Sequence, residues 1–269
     1  GFAQSCFDRQ GTQWLLMNAP GEKLYLFSRA PDAAAHWEQA LTLSPGNTNN
    51  FALAIDAENK VWLAAHRQLV NYSPANRKST VFSFAGILPG NYSINALTQT
   101  SDGSWWIGTD KGLIRATPQG NSFTFQLIRS IAGQYQSIQN DCVNTLLPDP
   151  ADAVLLWIGT RGGGLSRLDT RSMTFRHFNS WNGFPDNVIY GILADADKVL
   201  WMSSNKGIIR FNPASGAVRT FTVKDGLPTN EFNVRAYAQK ADGTMLFGCV
   251  EGLVAFHPGR FSDNPVAPQ

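Results

Sequence analysis

The stretch LLWIGTRGGGLSRLD, residues 155–169, decides the fold because its pattern returns along the whole chain. Close copies are WWIGTDKGLIR at 105–115 and LWMSSNKGIIRFNP at 200–213. Weaker copies of the same template lie at 13–27, 61–72 and 246–256. Six repeats therefore organise the sequence, and a repeated unit of fixed length is typical of solenoids, propellers and arrays.

An aromatic residue marks the same place in each repeat, and consecutive markers lie 44 to 51 residues apart. The six markers are Trp14, Trp62, Trp106, Trp157, Trp201 and Phe247. This period fits one four-stranded propeller blade. Asp102-Gly103, between two apolar runs, is a strong hairpin signal inside the repeat. The sequence therefore predicts an all-β fold, a β-propeller of four-stranded antiparallel blades.

The repeats are predicted at about 1–43, 51–87, 93–130, 141–179, 186–223 and 232–258, so that the propeller spans 1–258. The sixth repeat has no recognisable fourth strand. The ring is therefore either closed by six repeats or part of a seven-bladed ring. Residues 259–269 contain Pro265 and Pro268, and are expected to form an exit linker toward a following domain.

Two positions in the repeat have a structural explanation. The glycine that closes the second turn is expected at positive φ, where a Cβ would be costly. The copies of this glycine in four of the repeats are Gly112, Gly164, Gly207 and Gly252. The tryptophan is expected to fill the space between neighbouring sheets, because one sheet face cannot bury so large a ring alone.

Charge and composition exclude several classes of function. The chain has 269 residues, with 22 Lys and Arg against 20 Asp and Glu, and no run of like charge. Nucleic acid is therefore not an expected partner. No apolar run is long enough to cross a bilayer. The three cysteines are expected as buried thiols, although Cys6 and Cys249 would become neighbours in a closed ring and their pairing is left open.

Enzyme chemistry finds little support in the residues. The four histidines fall at different phases of the repeat, and no nucleophile elbow, phosphate loop or HExxH motif is present. We therefore expect no catalytic residues, no metal site and no cofactor. An enzyme similar to streptogramin lyase remains a less favoured alternative.

Strand order indicates where a ligand would bind. In an antiparallel meander, the turn between the second and third strands lies at the same end as the connection to the next blade, and both are rich in polar residues. Amides and charged groups around a concave mouth suit a small polar ligand. The alternative is that Asn and Asp satisfy nearby backbone groups at turns. The candidate ligand residues are Asn95, Asp110, Asn144, Arg161, Asn187, Asn205, Asn233 and Glu251.

The repeated Trp-Ile-Gly-Thr-x-x-Gly pattern, with the loops NGFPDN at 182–187 and DGLPTN at 225–230, resembles the two-component regulator propeller repeat. The resemblance implies a periplasmic sensor module of a bacterial membrane-bound regulator, a hybrid histidine kinase or a diguanylate cyclase. It also implies an immunoglobulin-like domain and membrane-anchored signalling domains after the propeller, and an oligosaccharide as ligand. A homodimer is left open, and a protein-binding scaffold is the alternative function.

Overall fold

The computed structural model describes residues 3–32, 36–44 and 51–260. These residues form six antiparallel sheets, five with four strands and one with three. Each sheet consists of strands that follow one another along the chain, so every sheet is one meander. The prediction of an all-β propeller with four-stranded antiparallel blades is therefore confirmed.

The blades are numbered 1 to 6 in chain order. The strands of the first three are β1 (Ala3–Phe7), β2 (Gln13–Ala19), β3 (Lys23–Arg29), β4 (Glu38–Leu43), β5 (Phe51–Ile55), β6 (Val61–Ala65), β7 (Gln68–Ser73), β8 (Lys78–Ser83), β9 (Ile94–Gln99), β10 (Trp105–Thr109), β11 (Gly112–Gln119) and β12 (Ser122–Ile128). Those of the last three are β13 (Val143–Pro148), β14 (Leu155–Thr160), β15 (Leu165–Asp169), β16 (Thr174–Phe178), β17 (Ile189–Ala194), β18 (Leu200–Ser204), β19 (Gly207–Phe211), β20 (Val218–Phe221), β21 (Phe232–Gln239), β22 (Met245–Cys249) and β23 (Gly252–Phe256). Short 3₁₀ turns lie at Ser180–Asn182, Val223–Asp225 and Pro258–Arg260.

The first strand of each blade lines the central channel. Neighbouring first strands pack side by side from β1 through β5, β9, β13 and β17 to β21. Among the described residues, β21 and β1 make no comparable contact. The ring therefore has one loose junction, between blades 6 and 1, which we call the seam.

The tryptophans fill the spaces between blades, as predicted. Trp157 is fully buried against Leu200, Met202 and Phe211 of blade 5. The indole N–H of each of the five marker tryptophans also has a partner in the turn before its own strand. The pairs are Trp14 with Asp8, Trp62 with Asp56, Trp106 with the Thr100 hydroxyl, Trp157 with Asp149 and Trp201 with Asp195, at 2.7 to 2.9 Å. The ring is thus packed on its faces and hydrogen-bonded at its polar edge.

The sixth repeat departs from this arrangement, and the prediction of Phe247 as its marker is wrong by one residue. Phe247 packs toward blade 5 with Met245, on the face that Met202 occupies in blade 5. Because alternate residues of a strand point to opposite faces, Leu246 takes the place of the tryptophan. Leu246 faces the seam, where no described blade packs against it as tightly.

The turn glycines have the predicted conformation. Gly112, Gly164, Gly207 and Gly252 all have positive φ, between 76° and 131°. At Gly207 a Cβ would lie 2.0 Å from the main-chain oxygen of Phe221. This position therefore excludes a side chain for two reasons, backbone conformation and lack of space.

Blade 6 ends at β23 in the part of the chain that the structure describes, so no fourth strand pairs with it there. Most of the expected exit linker, residues 261–269, lies outside the described residues. Cys6 packs in the core between blades 1 and 2 and Cys249 in the core between blades 5 and 6. Both are free thiols, so the pairing left open from the sequence is not formed.

Candidate functional site

All eight candidate ligand residues lie at one end of the propeller, which we call the upper face. The turns between second and third strands hydrogen-bond to the connections between blades at this end. Asp110 N–H donates to the Ser93 carbonyl, and Arg161 N–H donates to that of Cys142. Arg161 also forms a bridge with Val188. Strand order therefore placed these residues on a common face, but it left open which side chains are available to a ligand.

Two of the asparagines connect neighbouring blades through their amides. Asn95 donates to the main-chain oxygen of Val143 at 2.9 Å, and Asn144 donates to that of Ile189 at 3.0 Å. Asn144 is completely buried. Each amide supplies a hydrogen bond from one first strand to the next, a role that depends on the neighbouring blade.

Asp110 and Asn187 fix the conformation of upper loops. The Asp110 carboxylate accepts a hydrogen bond of 2.8 Å from the Ser93 N–H. The Asn187 side-chain oxygen accepts one of the same length from the Ser180 N–H, closing the loop that contains a 3₁₀ turn. Asn230 does the same for Val223 in the next blade. These contacts match the alternative interpretation, in which Asn and Asp satisfy nearby backbone groups.

The other four candidate residues are exposed on the upper face, and we call Arg161, Asn205, Asn233 and Glu251 the polar rim. Asn205 accepts a hydrogen bond of 2.8 Å from the Tyr190 hydroxyl through its side-chain oxygen. Burial raises the pKa of Cys142, and the positive charge of Arg161 opposes that rise. The rim thus offers an amide donor, a carboxylate acceptor and a guanidinium within reach of solvent.

The loops beside the polar rim expose two aromatic rings, Tyr135 and Trp181, with 71% and 82% of their surface accessible. His177 connects the two loops. Its Nε2 lies 2.8 Å from the Tyr135 carbonyl, and its own carbonyl accepts from the Asn182 amide at 2.7 Å. Burial lowers the pKa of His177, against the hydrogen bond to Tyr135, so the neutral ring is favoured. His177 therefore has a structural role here.

An arginine in the central channel was not predicted from the sequence. Arg235 lies in β21, where the pairing register shifts between Phe232 and Tyr237, and its φ is +62°. Its guanidinium donates across the seam to the main-chain oxygen of Phe51 in blade 2. The Tyr237 hydroxyl lies 2.8 Å from the Thr145 hydroxyl in blade 4. Residues of blade 6 thus reach into the channel from an irregular strand.

A cavity of about 380 Å³ opens between blade 6 and blade 1 in this channel. We call it the channel cavity; its polar lining is Gln4, Ser5, Asn95, Arg235 and Tyr237. Asn95 is the one residue of the predicted ligand set that borders it.

Another cavity, of about 910 Å³, lies at the opposite end of the propeller. It is lined by the lower turns of blades 1 to 3, with Trp62, Trp105 and Phe123 as its aromatic wall. Two of its carboxylates, Asp8 and Asp56, already bond to tryptophan indoles. The turns of these blades form the cavity, and some of their polar groups already hydrogen-bond within the blades.

Within residues 3–32, 36–44 and 51–260, no group of three or more His, Cys, Asp or Glu side chains has the arrangement of a metal site. Over the same ranges, none of the helices has the length and apolar character that a bilayer crossing requires.

Comparison with known proteins supports the repeat assignment. The family model described as two component regulator propeller matches residues 87–111 and 183–206. The two segments contain equivalent parts of two repeats, each with a loop that enters a blade.

A histidine kinase of Formosa agariphila is 26% identical to the chain over 226 residues. The match covers 66% of this chain and 16% of the kinase, so the chain spans about a sixth of that relative's length.

Two solved structures share the fold at 15% sequence identity. The extracellular domain of a hybrid two-component system from B. thetaiotaomicron matches 95% of this chain and 45% of its own, with a TM-score of 0.62. PorZ, a surface component of the type-IX secretion system of Porphyromonas gingivalis, matches 97% of this chain and 39% of its own, with a TM-score of 0.69. Taken with the six blades and their repeated motif, these matches describe a six-bladed β-propeller in which two repeats match the two component regulator propeller family.

Proposed function

We propose that the chain is the extracytoplasmic sensor module of a bacterial membrane-bound two-component regulator, lying in the periplasm and binding a small polar ligand at the upper face. The similarity to a histidine kinase supports a signalling role. The propeller itself is proposed to be non-catalytic, with kinase or cyclase chemistry in other domains of the protein.

The observation that carries the proposal is the polar rim. Four side chains, which offer a guanidinium, two amides and a carboxylate, remain exposed around one mouth. The other candidate residues of that face hydrogen-bond within the propeller framework. Beside them, the exposed rings of Tyr135 and Trp181 offer flat apolar surfaces. Hydroxyl-rich rings with an apolar face match such a mixture, so an oligosaccharide is the proposed ligand class.

Signalling requires that the ligand favour one of two arrangements, either of the propeller against its neighbouring domain or of two propellers in a dimer. The proposed partners are therefore an immunoglobulin-like domain and membrane-anchored signalling domains of the same protein, together with a second copy of the chain. A ligand that contacts both arrangements equally would transmit nothing.

The test is a thermal-shift titration of the propeller against a panel of neutral oligosaccharides. We expect one glycan to raise the Tm with a saturating dose dependence. Arg161→Ala and Glu251→Ala should weaken that response, whereas Lys23→Ala, on a strand of blade 1, should leave it intact. A response that survives both rim substitutions, or no response to any glycan, contradicts the proposal.

A second candidate function is docking of a protein partner, favoured by the high exposure of Trp181 and Tyr135 on adjoining loops. Exposed aromatic residues are enriched at interaction surfaces. A photo-crosslinking residue placed at position 181 of the full-length protein should then capture a protein, and one placed at Lys23 should not. Equal capture from both positions argues against docking at this face.

A further inference from the structure

Arg235 is a partly buried cation that pairs with no acidic residue in the described part of the chain. Among the described residues no carboxylate forms an ion pair with it, and its guanidinium donates a hydrogen bond to the main-chain oxygen of Phe51. Burial lowers the pKa of Arg235, and only Tyr237 opposes that shift. Cations removed from water are normally paired, because an uncompensated charge is costly to bury. The guanidinium retains donors for an anion that none of the described residues supplies.

The backbone is distorted where it carries this residue. Arg235 has φ +62°, a conformation that side-chain-bearing residues rarely adopt. It lies within the register shift of β21, between Phe232 and Tyr237. Bulges redirect side chains and are frequent beside binding sites, and strained residues cluster at such sites. The distortion brings the guanidinium into the channel. A regular strand would instead pair in the same register as the first strands of the other blades.

The channel cavity gives a ligand room beside Arg235. Tyr237 occupies the side toward blades 4 and 5, with its hydroxyl at Thr145 and its ring against Gly191, where an added Cβ would lie 2.3 Å from the ring. The remaining space of about 380 Å³ is within the range of small-molecule sites. Gln4, Ser5 and Asn95 supply polar groups around it, and Leu246 an apolar surface.

We propose that the channel cavity binds a small, ring-sized ligand through its carboxylate, with the Arg235 guanidinium as the anchor and Gln4, Ser5 and Asn95 around the rest of the molecule. A single planar guanidinium matches the two oxygens of a carboxylate. One cation favours a singly charged carboxylate over a phosphate, which carries close to two charges at neutral pH. The inference rests on the proposed sensing function for its biological role, but the binding site stands on its own residues.

The experiment compares D-glucuronate with D-glucose, which lacks the carboxylate, by isothermal titration calorimetry on the wild-type chain. We expect glucuronate to bind at least about tenfold more tightly, since hydrogen bonds to charged groups are the stronger class. Arg235→Gln should abolish this preference. Lys240→Gln, which removes an exposed cation from the same blade, is the matched control and should keep it. Glucose 6-phosphate is the third ligand and is expected to bind more weakly than glucuronate.

The stability of Arg235→Gln is measured separately from its ligand binding. Without ligand, Arg235→Gln should have a Tm equal to or above that of wild type, because it removes an unpaired, partly buried charge. If that variant does not fold, Arg235→Lys retains the charge but not the fork, and should weaken glucuronate binding without removing it.

Three outcomes overturn the inference: equal affinity for glucose and glucuronate, tighter binding of glucose 6-phosphate, or equal losses in Arg235→Gln and Lys240→Gln. Stabilisation by a neutral oligosaccharide without glucuronate binding would reject this site and leave the sensor proposal standing. Glucuronate binding that depends on Arg235, with no response to the glycan panel, would support the channel site and reject the polar rim.

Discussion

The indole N–H of Trp157 donates a hydrogen bond of 2.7 Å to the carboxylate of Asp149, eight residues earlier in the lower turn of the same blade. The ring itself is fully buried between blades 4 and 5. One side chain thus joins a turn to the packing between two sheets, and four other repeats have the same connection.

Asp149→Ala should lower the free energy of unfolding by about 1–3 kcal/mol, because it leaves a buried indole donor without a partner. Asp197→Ala, in the exposed lower turn of the next blade, is the control and should change stability by no more than about 0.5 kcal/mol. Urea denaturation monitored by tryptophan fluorescence measures both. Equal effects in the two variants would mean that the indole bond contributes nothing.

Gly207→Ala should destabilise the protein more than Gly216→Ala. Both glycines have positive φ, so both substitutions carry the cost of an unfavourable backbone, about 1–2 kcal/mol. Only at Gly207 would the Cβ also meet the Phe221 carbonyl, at 2.0 Å, whereas nothing lies within 4 Å at Gly216. The extra loss should be about 1–3 kcal/mol. Thermal unfolding by circular dichroism measures the difference, and similar Tm values would contradict the steric argument.

Truncation to alanine should lower the free energy of unfolding strongly at one tryptophan and hardly at all at another. Trp201→Ala removes a ring that is 1% exposed and bonded to Asp195, and should cost about 3–5 kcal/mol. Trp181→Ala removes a ring that is 82% exposed, and should change stability by no more than about 0.5 kcal/mol. Chemical denaturation compares them directly. A large loss from Trp181→Ala would show that its loop contributes to the folded core.

Stability should fall in acid partly through Asp141. Burial raises the pKa of Asp141, but hydrogen bonds from Ser130 and Arg129 outweigh it and hold the pKa below its usual 3.8. A carboxyl with a lowered folded-state pKa stabilises the protein above about pH 4, and this contribution is lost as the pH falls further. Asp141→Asn should therefore lower the Tm at pH 7 and flatten the decline between about pH 4 and 2. Parallel Tm curves for variant and wild type would reject this role.

The sequence predicted the parts of the fold that are set within one repeat. The tryptophan position and the positive φ of Gly207 follow from local pattern and turn geometry, so both were available without a structure. The position of Leu246 could also be predicted from the sequence. Aligning Asp242-Gly243 with Asp102-Gly103 places Leu246 opposite Trp106, whereas counting aromatic residues selects Phe247.

The candidate site depends on contacts between blades, which no local pattern contains. The buried Asn144 amide connects two blades because the carbonyl of Ile189 lies opposite it. The side-chain oxygen of Asn187 already accepts a hydrogen bond from the Ser180 N–H. Arg235 enters the channel because its strand loses register and adopts an unusual φ. Strand order therefore predicts the face, whereas availability of a side chain depends on the neighbouring blade.

The seam gives this ring two ends. A closed ring with equal junctions must break two interfaces to release a blade. Within the described residues, blades 1 and 6 each have only one neighbour packed as in the rest of the fold. Local opening should start there and travel inward, as in a linear array of repeats. Amide hydrogens of β2 and β22 should then exchange with deuterium earlier than those of β10 and β14, and a ligand held by Arg235 should slow the outer blades first.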